Sequence, residues 1–165
     1  MENTLGRVII DFYGLPGSGK TTIAKMLSKK LEENGYLVND DMIKLSNKVS
    51  GIKRIILKAT NALIYTMMNF QSVNRLYQII KKNCSFGFIN KAKQWVNICF
   101  VLKSLGNECG SVLIADQGIV QASISASIGM PDSNILDLIE EMETKVKTKI
   151  IYVHVSTDLE VVIER

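Results

Sequence analysis

Between Met42 and Asn107 the sequence has no aspartate and no glutamate, although the same stretch carries eleven lysines and arginines. Scarcity of other kinds narrows the reading further. The three cysteines, Cys84, Cys99 and Cys109, form no C-x-x-C pair, and there is one histidine in the chain. That combination excludes the usual zinc ligand spacings and points to reduced thiols buried as small apolar residues. With two prolines and no tract of one composition, the chain contains neither a proline-rich spacer nor an internal repeat. No apolar run approaches the length that spans a bilayer, and the residues before Arg7 lack the basic-then-apolar order of a secretory signal. The expected location is therefore the cytoplasm.

What remains is a chain of 165 residues, 47% hydrophobic and 22% charged, with a net charge of +4. It is long enough to bury a real core and reads as one domain over 1–165, with the basic segment 42–107 set within it. Val8 to Tyr13 is an apolar strand, and Tyr36-Leu37-Val38 a short second one that closes on Asp40 and Asp41. Ser111 to Asp116 and Lys149 to Val155 supply two more. Between them run helical patterns. Ile23, Ala24, Leu27 and Leu31 share one face, and Ile52, Ile55, Ile56, Leu63, Met67 and Phe70 recur at helical spacing through the basic segment. Strands alternating with helices predict an α/β fold, a three-layer parallel sheet with helices on both faces. Ligands in such a sheet gather at the carboxyl ends of the strands, here Gly14, Asp40/Asp41, Asp116 and Ser156.

At the first of those ends stands GLPGSGKTT, Gly14 to Thr22, a match to G-x-x-x-x-G-K-[ST] in the strand–loop–helix context the motif requires. Gly14, Gly17 and Gly19 let the backbone curl so that its N–H groups converge on an anion. Pro16 restricts the loop, Ser18 adds a donor, and the following helix N-terminus adds partial positive charge. Lys20 brings a full charge to the β- and γ-phosphates, and the Thr21 hydroxyl, beside Thr22, can ligate Mg²⁺. The third strand ends four apolar residues on Asp116, the pattern of the second acid that holds the cation. ATP and Mg²⁺ are the cofactors these residues imply. No N-K-x-D signature for guanine is present, and Gln117 follows Asp116 where ATP-hydrolysing motors place a glutamate.

GLPGSGKTT, the Asp116-Gln117-Gly118 strand end and the segment from Tyr152 to Arg165 together resemble the nucleoside and nucleotide kinases, especially thymidylate-kinase-like proteins. The resemblance implies transfer of a phosphoryl group from ATP to a small acceptor, with Lys20, Asp116 and Asp41 in catalytic positions. Asp41 follows the second strand, where many small-molecule P-loop kinases keep an acid for the acceptor hydroxyl, with a solvated helix cap as the alternative. Gln117 and Gln121, four residues apart on one helical face, suit an acceptor's polar edge or equally a surface helix, and Gln117 stands where the resembling family has an arginine. Arg165 would correspond to an arginine before the lid, and the chain stops short of the expected lid and last strand. The basic segment suits a small anionic acceptor better than nucleic acid. Membrane association of its amphipathic helices and homodimer formation are compatible with it. A nucleotide-binding regulatory module without turnover is the alternative.

Overall fold

The structure is a computed structural model that describes residues 7–48, 51–83, 88–106, 111–127 and 132–157. Cys84, Cys109 and Arg165 lie outside the described residues. Among the described residues the chain is α/β, with four parallel strands in the order Val38–Asn39, Val112–Ala115, Val8–Tyr13, Lys149–His154, flanked by helices. It divides into two compact units. One comprises residues 1–48, 108–118 and 148–165, and the other residues 49–107 and 119–147.

The first unit holds the sheet: β1 (Val8–Tyr13), β2 (Val38–Asn39), β3 (Val112–Ala115) and β4 (Lys149–His154), with α1 (Lys20–Glu33) and α2 (Asp41–Lys48). Because side chains alternate along a strand, β1 sends Ile10 and Phe12 to one face and Ile9 and Asp11 to the other. Phe12, Ile114, Val112 and Val155 pack with Ala24 of α1 and Ile43 of α2 into one continuous cluster. The inward stripe of α1 is Ala24, Leu27, Ser28 and Leu31, so Ile23 falls outside it and is exposed. The second strand is shorter and later than the apolar run suggested. Tyr36 and Leu37 are exposed, and the Leu37 carbonyl accepts from the backbone N–H groups of Ser111 and Val112.

The second unit is helical: α3 (Gly51–Met68), α4 (Phe70–Asn83), α5 (Phe88–Gly106), α6 (Ile119–Ala126) and α7 (Asp132–Glu143). The apolar periodicity from Ile52 to Phe70 does not make one helix, because α3 ends at Met68 and α4 begins at Phe70, with Asn69 between them. There the backbone N–H and the side-chain amide both reach the Tyr65 carbonyl, and the Asn69 carbonyl in turn accepts from Val73. Ser133 lies inside α7 rather than ahead of it. Glu141, nearly buried, ties α7 to α4 through Arg75 at 3.1 Å and to Lys145 at 2.8 Å. Trp95 sets its ring edge-to-face with Tyr77 across α4 and α5, with centroids 5.7 Å apart. Among the described residues no helix is long and apolar enough to cross a membrane.

Candidate functional site

The loop between β1 and α1 is built by constraints that the sequence makes local. Gly17 and Gly19 take left-handed φ values of 82° and 91°. A Cβ on Gly14 would collide with the carbonyl oxygen of Val155 at the end of β4, so only glycine lets the loop pass that close. Two further bonds fasten the loop from the same side. Val155 donates its backbone N–H to Tyr13 at 2.9 Å, and the Thr157 hydroxyl donates to the Ser18 carbonyl at 3.0 Å. α1 then begins at Lys20 with no side chain capping its first turn, which leaves N-terminal N–H groups available to an anion.

Lys20 and Thr21 occupy the positions their motif requires. The Lys20 ammonium donates to the carbonyls of Gly14 at 2.9 Å and Leu15 at 2.6 Å, curling over the loop its charge would share with a phosphate. Partial burial pushes this lysine below its ordinary range, and the neighbouring Asp116 carboxylate pulls the other way. Thr21 donates its hydroxyl to Asp116 Oδ2 at 2.9 Å, although the two residues are far apart in sequence. Asp116 is buried at the end of β3, and β3 lies directly against β1 with Asp11 in register with Ala115.

These residues fit ATP and Mg²⁺ on their own geometry. Ser18 Oγ is buried in the loop with no hydrogen-bond partner among the described residues, an orphan that a phosphate oxygen would satisfy. No group of three or more His, Cys, Asp or Glu that could hold a metal occurs among the described residues. The Thr21 hydroxyl and the Asp116 carboxylate are the oxygen ligands that would hold a Mg²⁺.

One functional residue escaped the sequence reading. Asp11 sits in the middle of β1, fully buried, and its Oδ1 accepts the Gly118 backbone N–H at 3.1 Å. A Cβ on Gly118 would run into that carboxylate. Asp11 therefore fixes the turn that follows Asp116 and, through it, the direction of the Asp116 side chain. The sequence signal was an acid inside an otherwise apolar strand, which is costly unless it has a fixed partner.

The remaining expected residues are placed less uniformly. Asp41 opens α2 with its side chain exposed, and its N–H is held by Asn39 Oδ1 at 3.0 Å. Its neighbour Asp40 is engaged by Lys44 at 2.5 Å, a contact that also holds that lysine above its ordinary range. β2 is in register with Val112 and Leu113, and β3 separates it from β1. Gln117 is exposed directly after Asp116. Gln121 belongs to the helical unit, where its side-chain oxygen is shielded from solvent with no donor among the described residues. His154 is exposed and stacked on Tyr13, with ring centroids 5.0 Å apart.

Residues 5–157 match the family described as novel STAND NTPase 3. No curated protein matches the chain.

Proposed function

The chain belongs to the novel STAND NTPase 3 family, P-loop NTPases, and from that premise we propose that it binds Mg²⁺–ATP at Gly14–Thr22 and transfers the γ-phosphoryl to a small anionic acceptor. The observation that carries the nucleotide half is the 2.9 Å bond from Thr21 to Asp116 beside the Lys20 ammonium. It brings a hydroxyl, a carboxylate and a cation from two strand ends to one point. Thr21 and Asp116 would hold the Mg²⁺, and the metal would supply neutralisation of the charge that develops on the transferring phosphoryl group.

The preference for an acceptor over water has two supports. Asp116 is followed by the neutral amide Gln117, which can orient a ligand by hydrogen bonds but is no general base. In addition, β3 abuts β1 with no strand between them to bring a further polar residue up to the γ-phosphate. Asp41, which opens α2 two residues after β2, is the residue we assign to gripping or deprotonating the acceptor hydroxyl, and a kinase of the thymidylate-kinase-like kind is the closest chemical description.

The decisive experiment measures ADP release from Mg²⁺–ATP with and without a panel of small phosphorylated and hydroxylated acceptors. Lys20→Ala should weaken ATP binding by roughly tenfold to a hundredfold, as loss of a charged hydrogen bond of about 1.5–3 kcal/mol implies, and abolish transfer. Acceptor-independent ADP release at the same rate throughout the panel would assign the protein to hydrolysis. Unchanged ATP affinity in Lys20→Ala would remove the nucleotide site itself.

A second reading is favoured by one specific observation. α3 turns Ile52, Ile56, Leu63, Met67 and Met68 to solvent, each at least 58% exposed. A nucleotide-binding regulatory module that rests on a membrane or partner through this face would bind ATP tightly, show no acceptor-stimulated turnover and sediment with anionic liposomes.

A further inference from the structure

Every isoleucine, leucine and methionine of α3 is exposed, from 40% at Leu57 to 79% at Met68, and the buried residue of this helix is Ala62. The helix is held from its other side. Lys58 meets Asn97 and Lys103 meets Asn61 across α3 and α5, and Thr66 lies beside Cys99. α3 is thus an amphipathic helix with its apolar side turned outward. At 100° per residue, Ile52, Ile55, Ile56, Leu63 and Met67 lie within an arc of roughly 120°, and Leu57, Ile64 and Met68 widen it on one side. Over the 18 residues of α3 this stripe runs about 27 Å. A contiguous apolar surface of more than a few hundred Å² is rare on a soluble monomer and marks a contact surface. Eight large side chains so exposed exceed that.

The charges beside the stripe select what covers it. Lys53 follows Ile52 on the exposed part of α3, and Lys93 of α5 lines one cavity with Ile55, Arg54 and Lys58. Lys53 and Lys93 are both exposed, and neither forms an ion pair among the described residues. No acid occurs in α3, α4 or α5, and the acids of this unit lie on α7, which packs on α4 and α6. A second copy docked on the stripe would set lysine against lysine. An anionic lipid surface suits both features. Its acyl region takes the isoleucines, leucines and methionines, and the lysines reach along their own apolar stems to the headgroup phosphates.

We propose that α3 is a membrane-docking helix that lies in the plane of an anionic lipid surface, with Ile52, Ile56, Leu63 and Met67 inserted and Lys53 and Lys93 at the headgroups. Membrane contact through this face makes definite the second reading of the function, on which it rests, and does not depend on turnover at the P-loop. The helix lies on the bilayer and not across it, since no helix among the described residues is long and apolar enough to span one.

The test co-sediments the full chain with vesicles of phosphatidylcholine alone and with vesicles containing roughly one-third phosphatidylserine. The anionic vesicles should bind the protein, and the neutral ones at least tenfold more weakly. Ile56→Gln combined with Met67→Gln, both at exposed positions, should weaken binding to anionic vesicles at least tenfold while the melting temperature without lipid stays unchanged. Lys53→Gln combined with Lys93→Gln should weaken it roughly thirtyfold, since each lysine at such a surface is worth about fivefold. Lys20→Ala should bind vesicles as the unaltered chain does. ADP release from the same preparations reports turnover separately, so that loss of the membrane contact and an error about the P-loop are told apart. Binding that vanishes at about 0.5 M salt and ignores Ile56→Gln with Met67→Gln would reduce the contact to charge alone and overturn the proposal. Failure to bind either kind of vesicle would do the same. A chain that ignores vesicles but sediments as a dimer, and as a monomer in that double variant, would assign the face to a second copy instead.

Discussion

Asp116 is held in place from two sides. Thr21 donates to its carboxylate, and the turn that follows it is pinned by the Gly118 N–H donating to buried Asp11. Gly118 leaves no room for a side chain against that carboxylate. Replacing it with alanine must push Asp11 aside or rotate the turn, and either movement shifts Asp116. Overpacking at a buried site of this kind typically costs about 1–3 kcal/mol of stability. Gly118→Ala should therefore lower the melting temperature and weaken Mg²⁺-dependent ATP binding together. Asp116→Asn keeps the shape and should weaken the metal dependence with little loss of stability. Parallel thermal melts and Mg²⁺ titrations of the two variants separate these outcomes; a Gly118→Ala protein that melts and titrates like the unaltered one would show that the turn does not depend on Asp11. Cys99 illustrates the opposite fate for a polar group. It is buried against Thr66, and burial pushes its thiol up to about 11, so it stays protonated and behaves as a small apolar residue.

At the scale of the element, α3 shows where sequence reasoning stops. Its three- and four-residue apolar spacing identifies a helix, and the helix is there. Yet Ile52, Ile56, Leu63 and Met67 face solvent, and α3 meets α5 partly through polar side chains. Lys58 meets Asn97, Lys103 meets Asn61 at 2.8 Å, and Thr66 lies 3.6 Å from Cys99. Periodicity states that a helix has two faces. It cannot state which one its neighbours cover when the neighbour offers amides and a thiol instead of leucines. The P-loop was legible because its geometry lies within nine consecutive residues, with glycine at each of the three positions, 14, 17 and 19, whose φ is positive. Asp11 was not, because its partner Gly118 reaches it through the fold rather than through adjacent sequence. The α3 orientation gives a stability test. Leu63→Gln should change folding free energy by less than about 0.5 kcal/mol, as exposed substitutions do. Ala62→Leu, one residue away but 3% exposed, should cost roughly 1–3 kcal/mol by overpacking. Denaturant melts of the pair settle the matter: a loss of about 2–5 kcal/mol in Leu63→Gln is what removal from a packed core would produce.

Over the whole molecule, chemistry and charge are divided between the two compact units. The sheet unit owns the loop, Asp116, Asp11 and Asp41, and the helical unit owns the cation-lined cavity and the exposed face of α3. The chain passes between the units after residues 48, 107, 118 and 147. One of those passages follows Gly118 directly, so the turn pinned by Asp11 is also the point where the chain leaves the sheet for α6. A ligand that binds the native state stabilises it by mass action, by about 2.7 kcal/mol when present at a hundred times its dissociation constant. Segments that open locally, without global unfolding, gain that protection only if the ligand must leave before they open. Mg²⁺–ATP should therefore slow amide exchange most strongly at the loop, the first turn of α1 and residues 116–118, whose groups hold it. Protection in α3, α4 and α5 should rise far less, because those helices can open while nucleotide stays on the sheet unit. Hydrogen exchange read by mass spectrometry reports both in one experiment. Equal protection of all helices by Mg²⁺–ATP would mean that the two units open as one, and the division of labour between them would then be structural without being energetic.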